Sequence, residues 1–264
     1  MISKLIALMA IIQTVLATIV LAPTAVSATS KDIGVVWING AECKPAAYVK
    51  LAEAFQAEAA LAGYNAWVGI PSFTLDTPNP IQFDEAAKLA KAAVVAKGFK
   101  AGDFYIAAHS LGTVMTQDWI QYNPDEFKGQ ILMGGGILRS FRSNNNETGL
   151  THFHTVIPTL TIAATKDGLY RATRAAEGYW HGVTNVEAEQ KGRFPVVLLE
   201  GGSHGSFMDD TMLPTLVVDK DLLPEVSQAD GYKIVAEEMM AFIKNLDGAA
   251  EDVNQENDAV ATFF

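Results

Sequence analysis

The chain has 264 residues, 49% hydrophobic and 19% charged, a balance that suits a large buried core and excludes a disordered or collagen-like chain. Its formal charge of −11 argues against a nucleic-acid binder and against electrostatic docking on an anionic membrane, since both need a cationic face. The single cysteine, Cys43, rules out an intrachain disulfide and a cysteine-based metal cluster.

At the N-terminus, Lys4 precedes an uncharged, mostly aliphatic run from Leu5 to Ala22, and Val26-Ser27-Ala28 then offers small residues where a signal peptidase reads. Residues 1–28 read as a secretory signal peptide cleaved after Ala28. The alternative is a retained membrane anchor, because the run is nearly long enough to span a bilayer. Both readings put the remainder outside the cytoplasm: secreted or periplasmic in the first case, anchored and facing outward in the second. No later run is long and apolar enough to span.

Strand-like and helix-like segments then alternate through a domain over residues 29–247. Asp32–Ile38 reads as a strand, and Pro45–Leu61 as an Ala-rich helix with Pro in its first turn and Gly63 beyond its end. Asn65–Ile70 reads as a strand stopped by Pro71, before a loop punctuated by Pro78 and Pro80. Phe83–Lys97 is a helix stopped by Gly98, Asp103–Ala108 a strand, Leu111–Tyr122 a helix and Gly129–Gly134 a strand. Residues 139–158 are polar and irregular. Thr159–Ala164 reads as a strand, Tyr170–His181 as a helix, Pro195–Leu199 as a strand and Gly231–Leu246 as the last helix. Residues 248–264 are acidic and lack apolar periodicity, which reads as a disordered tail. The strands are nearly continuous apolar runs, as a parallel sheet buried on both faces requires. The expected architecture is α/β: a three-layer sandwich, with a mostly parallel six-stranded sheet and helices on both faces.

The most informative segment is DFYIAAHSLGTVMTQDWI. A strand enters Ala108-His109-Ser110-Leu111-Gly112 and a helix leaves at once. So tight a turn forces its apex residue into a strained conformation and tolerates only small residues two positions away, here Ala108 and Gly112. Ser110 at the apex presents Oγ above the carboxyl edge of the sheet, next to a helix N-terminus that favours negative charge. The bland alternative is an ordinary turn with Ser110 as helix N-cap.

A serine hydroxyl needs a base to take its proton. His204, in Gly201-Gly202-Ser203-His204-Gly205-Ser206, follows a late strand and is flanked by small residues that let the loop turn inward. His109 lies inside the turn, His152 and His154 in the irregular stretch, and His181 at a helix end, so each suits the role less well. The base needs a carboxylate to orient it, and Asp167 follows the strand TLTIAAT. The oxyanion donors expected are Leu111 N–H, next after the nucleophile, and Ala41 N–H, in the loop after the first strand.

The AHSLG turn and the chain order Ser110, Asp167, His204, each just past a strand end, resemble the α/β-hydrolase superfamily over residues 32–246. The Ala-x-Ser-x-Gly variant is similar to that of small Bacillus-type lipases, and the layout resembles the chlorophyllase and dienelactone-hydrolase branch. Many relatives carry His-Gly where this chain has Asn39-Gly40. The resemblance implies a secreted serine hydrolase acting on carboxylic esters through an acyl-enzyme, with a small-molecule ester as partner and no cofactor. Amidase, thioesterase or acyltransferase chemistry on the same triad is the alternative, as is a catalytically silent binding protein. Only three residues separate Ala28 from the first strand, so the leading antiparallel strands of larger relatives have no room and a minimal six-stranded core is expected.

Residues 139–158 stand where relatives carry a cap, but are too few for a helical one. Phe73, Phe141 and Phe153 are the expected substrate-pocket walls, with Leu150, Tyr179 and Trp180 as further candidates. Asn146-Glu147-Thr148 is a glycosylation sequon. His152-x-His154 lacks a third ligand, so no metal is assigned. Cys43 reads as a small buried residue.

Overall fold

Among the described residues, seven strands make one sheet in the order β1-β3-β2-β4-β5-β6-β7: β1 (Thr18–Leu21), β2 (Lys31–Ile38), β3 (Tyr64–Pro71), β4 (Gly102–His109), β5 (Gly129–Met133), β6 (Thr159–Ala164) and β7 (Val196–Leu199). The computed structural model describes residues 17–141, 155–184 and 192–248. Among these, the helices are α1 (Val49–Leu61), α2 (Pro80–Lys97), α3 (Leu111–Ile120), α4 (Thr173–Thr184), α5 (Thr215–Lys220) and α6 (Gln228–Leu246). The sequon, Leu150, His152, Phe153, His154 and the tail beyond Gly248 lie outside the described residues, as does the leader up to residue 16.

Strands β2 to β7 pair in parallel, and they are the six expected. The seventh, β1, corrects the expectation of a core without a leading antiparallel strand: it comes from the segment read as leader. It pairs antiparallel with the edge of β3, from Thr18 opposite Pro71 to Leu21 opposite Val68. Val20 and Ala22 pack on Trp67, Val94 and Phe99, and Ser27 and Asn65 exchange two hydrogen bonds of 3.0 Å. The pairing is possible because an aliphatic β-branched run satisfies a sheet edge as readily as a membrane. Cleavage after Ala28 would remove β1 and leave the six parallel strands.

Side chains alternate between the two faces. Val35 and Trp37 of β2, Tyr105 and Ala107 of β4, and Ile131 and Met133 of β5 enter one core with α1 and α6. Val36 and Ile38, with Ile106 and Ala108, enter the opposite core with α2 and α3, while Ala163, Val196 and Leu198 pack against α4. Burial on both faces is the physical reason the strands are apolar throughout.

Two helices, α2 and α6, start earlier than expected for local reasons, whereas α1 and α4 start later. Pro80 occupies the first turn of α2, capped by Asn79, whose side chain accepts from Gln82 N–H. Ser227 likewise caps α6 at Asp230 N–H. Pro45–Tyr48 forms a separate 3-10 turn before α1. The short helix α5 is an addition to the expected elements.

The chain runs from β2 to β3 on one side and returns to β4 on the other. The crevice of an open α/β sheet opens at such a reversal, beyond the carboxyl ends of the strands. The loops after β2 and β4 meet at this point, and those after β6 and β7 complete the same rim.

Candidate active site

Ser110 occupies the apex between β4 and α3 with φ 53° and ψ −123°, the strained conformation that the tight turn demands. Its side chain makes no capping bond to α3, which removes the N-cap reading. Space explains the small neighbours: a Cβ on Gly112 would stand 2.5 Å from Asn39 O. Ala108 tolerates its methyl group because that group enters the core beside Ile38 and Phe83.

Ser110 Oγ lies 2.8 Å from His204 Nε2, and His204 Nδ1 lies 2.8 Å from Asp167 Oδ2. A carboxylate only accepts, so Nδ1 carries the imidazole proton and Nε2 accepts from the serine hydroxyl. Asp167 Oδ1 accepts the N–H groups of Leu169 at 2.8 Å and Tyr170 at 2.6 Å. These bonds hold the carboxylate toward His204. The His204 side chain is 2% exposed and that of Asp167 fully buried, so the hydrogen-bonded line is shielded from water along most of its length.

Among the described residues, neither Leu111 N–H nor Ala41 N–H has a hydrogen-bond partner. Gly40 N–H is taken, donating to Tyr48 Oη at 2.8 Å, which leaves Ala41 as the free donor of its loop. The Asn39 amide donates to Cys43 O at 2.6 Å and Asp76 O at 2.8 Å. This ties the loop from below, at the position where many relatives carry histidine. Gly40 permits close approach: a Cβ there would come 3.1 Å from Ser110 Cβ.

His109 is fully buried, its ring turned toward Tyr48 and the backbone of His204. Its Nε2 is 3.2 Å from His204 O and its Nδ1 is 2.8 Å from Tyr48 Oη. The carbonyl can only accept, so Nε2–H donates to it and the Tyr48 hydroxyl donates to Nδ1. A directed chain therefore runs from Gly40 N–H through Tyr48 and His109 to the backbone of His204. Burial first, and the adjacent His204 ring second, hold the His109 pKa well below the ordinary histidine value, so the ring is neutral. Burial also pushes the Tyr48 hydroxyl pKa well up, so it stays protonated.

Gly134, just past β5, has φ 53°, and a Cβ there would stand 3.0 Å from His204 Nδ1 and 3.2 Å from His109 Cδ2. The loop after it is held by Gln117, whose amide donates to Gly136 O at 3.2 Å and accepts Leu138 N–H at 3.1 Å. Neither residue was singled out from sequence, although the run Gly134-Gly135-Gly136 was a visible sign of close backbone approach.

Of the expected pocket walls, Phe73 is 4% exposed and stacks on Phe83 with ring centroids 6.2 Å apart, inside the core with Ile38 and Ala108. Phe141 is half-buried in a 3-10 turn, and Phe153 lies outside the described residues. Tyr179 belongs to the core under α4. Cys43 is buried, its pKa pushed up to about 11 chiefly by burial, so it is an inert thiol. A cavity of about 460 Å³ lies behind the His204 loop, walled by Leu213, Val217, Leu222, Leu223 and Val226. None of Ser110, Asp167 or His204 lines it.

No protein-family model matches the sequence, and no curated protein matches it either. Solved structures do. Est1E from Butyrivibrio proteoclasticus, with ferulic acid bound, matches with a TM-score of 0.52 at 12% identity, over 86% of this chain and 95% of that one. The esterase domain of a Rhodothermus marinus protein matches with a TM-score of 0.51 at 13% identity, over 87% and 92%. Mouse alpha/beta hydrolase domain-containing protein 10 matches with a TM-score of 0.50 at 10% identity, over 89% and 96%. At such identities likeness speaks for the fold, and with the parallel sheet and its strand order it supports one conclusion: this chain has the α/β-hydrolase fold.

Proposed function

We propose that the protein is a serine hydrolase that cleaves small-molecule carboxylic esters through an acyl-enzyme. The observation that carries this reading is the line of hydrogen bonds from Ser110 Oγ through His204 to the buried Asp167. One fold neighbour is named as an esterase domain and another holds ferulic acid, a carboxylic acid, which supports esters as the substrate class.

In this mechanism Ser110 Oγ attacks the ester carbonyl while His204 Nε2 takes the hydroxyl proton. Asp167 holds the imidazole and stabilises the imidazolium that forms. The developing oxyanion receives Leu111 and Ala41 N–H, and the N-terminus of α3 adds a favourable dipole. Collapse breaks the bond to the alcohol, which leaves with the proton from His204. Water then gives a proton to the same nitrogen and attacks the acyl-enzyme. A second collapse releases the acid and returns the proton to Ser110.

The test is a fluorophosphonate label with peptide mapping, together with hydrolysis of short and long p-nitrophenyl esters. The label is expected on Ser110. Ser110→Ala is expected to lose labelling and about 10³-fold or more of the esterase rate. An Ala variant that keeps its rate, or a native protein inert to the label, overturns the reading and leaves a binding protein on this scaffold.

We infer from the leader-like residues 1–28 that this activity is exercised outside the cytoplasm. No helix among the described residues is long and apolar enough to cross a membrane. Protein recovered from the medium or periplasm is expected to begin at Thr29; a first residue of Met1 in the membrane fraction would favour the anchor.

A further inference from the structure

The sequence around Asp221 has none of the signs by which Ser110, Asp167 and His204 were found. It lies in Val217-Val218-Asp219-Lys220-Asp221-Leu222-Leu223, at the end of a short helix and just before two leucines. In the fold its carboxylate spans two loops. Oδ1 accepts Gly168 N–H at 2.9 Å, and Oδ2 accepts Gly205 N–H at 2.8 Å. Gly168 is the residue after Asp167, and Gly205 the residue after His204.

The geometry points to Asp221 as a positioning residue for the triad: one carboxylate clamps the loop of the acid to the loop of the base, and so sets the Asp167–His204 distance. This inference rests on the proposed serine-hydrolase reading.

Three observations support it. Charge-assisted bonds from backbone N–H to a carboxylate are among the stronger neutral-to-ion hydrogen bonds, and a two-oxygen bridge fixes a separation as well as an energy. The bridge is itself anchored, since Asp221 N–H donates to Val217 O at 2.9 Å and Oδ1 also accepts Leu222 N–H at 3.0 Å. Gly168 is shaped to receive it: a Cβ there would fall 2.2 Å from Lys220 O and 2.9 Å from Asp221 Cα. Only glycine lets the strap close on the acid loop.

The bases of the two loops are joined without Asp221. Thr165 N–H donates to Leu199 O at 3.1 Å, Lys166 N–H to Gly202 O at 2.8 Å, and Gly201 N–H to Thr165 Oγ1 at 2.8 Å. The clamp therefore governs the loop tips, where the reacting side chains stand, more than the loops' existence. Its loss should slow chemistry while leaving the fold and ground-state binding largely in place.

The experiment uses the full chain, with Asp221→Ala, Asp221→Asn and Ser110→Ala compared with the native protein. It reads the fluorophosphonate labelling rate, kcat and KM on a p-nitrophenyl ester, and the melting temperature. Asp221→Ala is expected to lower the labelling rate and kcat by about 10- to 100-fold with KM nearly unchanged. Asp221→Asn keeps one accepting oxygen and should fall between. On a His204→Ala background the Asp221→Ala loss should vanish, because a residue acting through His204 has nothing left to position. A lowered melting temperature with native kcat and labelling rate, or a loss that persists without His204, overturns the clamp. If Asp221→Ala does not fold, Asp221→Asn is held to the same criteria. Labelling that survives Ser110→Ala overturns the function reading itself, whereas an unlabelled Ser110→Ala beside a fully labelled Asp221→Ala overturns the clamp alone.

Discussion

The Tyr48 hydroxyl stands 2.8 Å from His109 Nδ1, and both side chains are fully buried. The pair links the turn after β2 to the Ser110 turn after β4, and through His109 Nε2 to the backbone of His204. Tyr48→Phe would leave Gly40 N–H and His109 Nδ1 buried without partners, and each orphaned polar group costs about 1–3 kcal/mol. Urea denaturation should show a loss of that order. Unaltered stability would show that the chain of bonds contributes little.

His109 also sets a pH dependence. Its folded pKa is depressed by burial and by the His204 ring, whereas in the unfolded chain it is near the usual ~6.5. Below that value the unfolded state binds a proton that the folded state refuses, so stability falls as pH drops through about 6.5 and below. Denaturation midpoints from pH 8 to pH 5 should show this decline. His109→Gln, which cannot take up the proton, should flatten it. An equal slope in the variant would refute the assignment.

Asp209 acts further into acid. The hydrogen bond from Lys50, with those from Thr211, holds its pKa at about 2, against ~3.9 in the unfolded chain. A depressed carboxylate contributes stability above its unfolded pKa and loses it as pH falls through the folded one. The contribution should therefore disappear between about pH 4 and pH 2. Because Lys50 is about half exposed, added salt should weaken the effect. Asp209→Asn should remove that part of the acid transition, as followed by circular dichroism.

Gly134→Ala tests the packing behind the base. The residue has φ 53° and its added methyl would meet His204 Nδ1 at 3.0 Å. The left-handed backbone alone costs about 1–2 kcal/mol for an L-residue. The ring of His204 must shift to admit the methyl, so kcat should fall well beyond what the stability loss predicts. A variant with native kcat would mean that the loop relaxes away from the ring.

The meeting of Ser110, Asp167 and His204 was legible because each announces itself within a few residues. A buried strand stops, small residues follow, and a polar side chain stands in the gap. The parallel sheet was legible for the same kind of reason, since strands covered on both faces must be apolar throughout. Other features needed coordinates. Phe73 reads equally well as a pocket wall or as core, and only its stacking on Phe83 separates the two. The segment before Ala28 reads as leader from its hydropathy, and that Thr18–Leu21 pairs with β3 was visible only in the fold.

What the linear order of residues carried was chemistry available within a turn: which hydroxyl is strained outward, which imidazole has a loop loose enough to reach it, which carboxylate follows a strand. What the folded chain decided was which distant groups hold those three in register. Tyr48 meets His109 across 61 positions, and Asp221 meets Gly168 across 53. Such contacts form when packing brings two loops together, and they leave no periodicity or spacing in the sequence that could announce them.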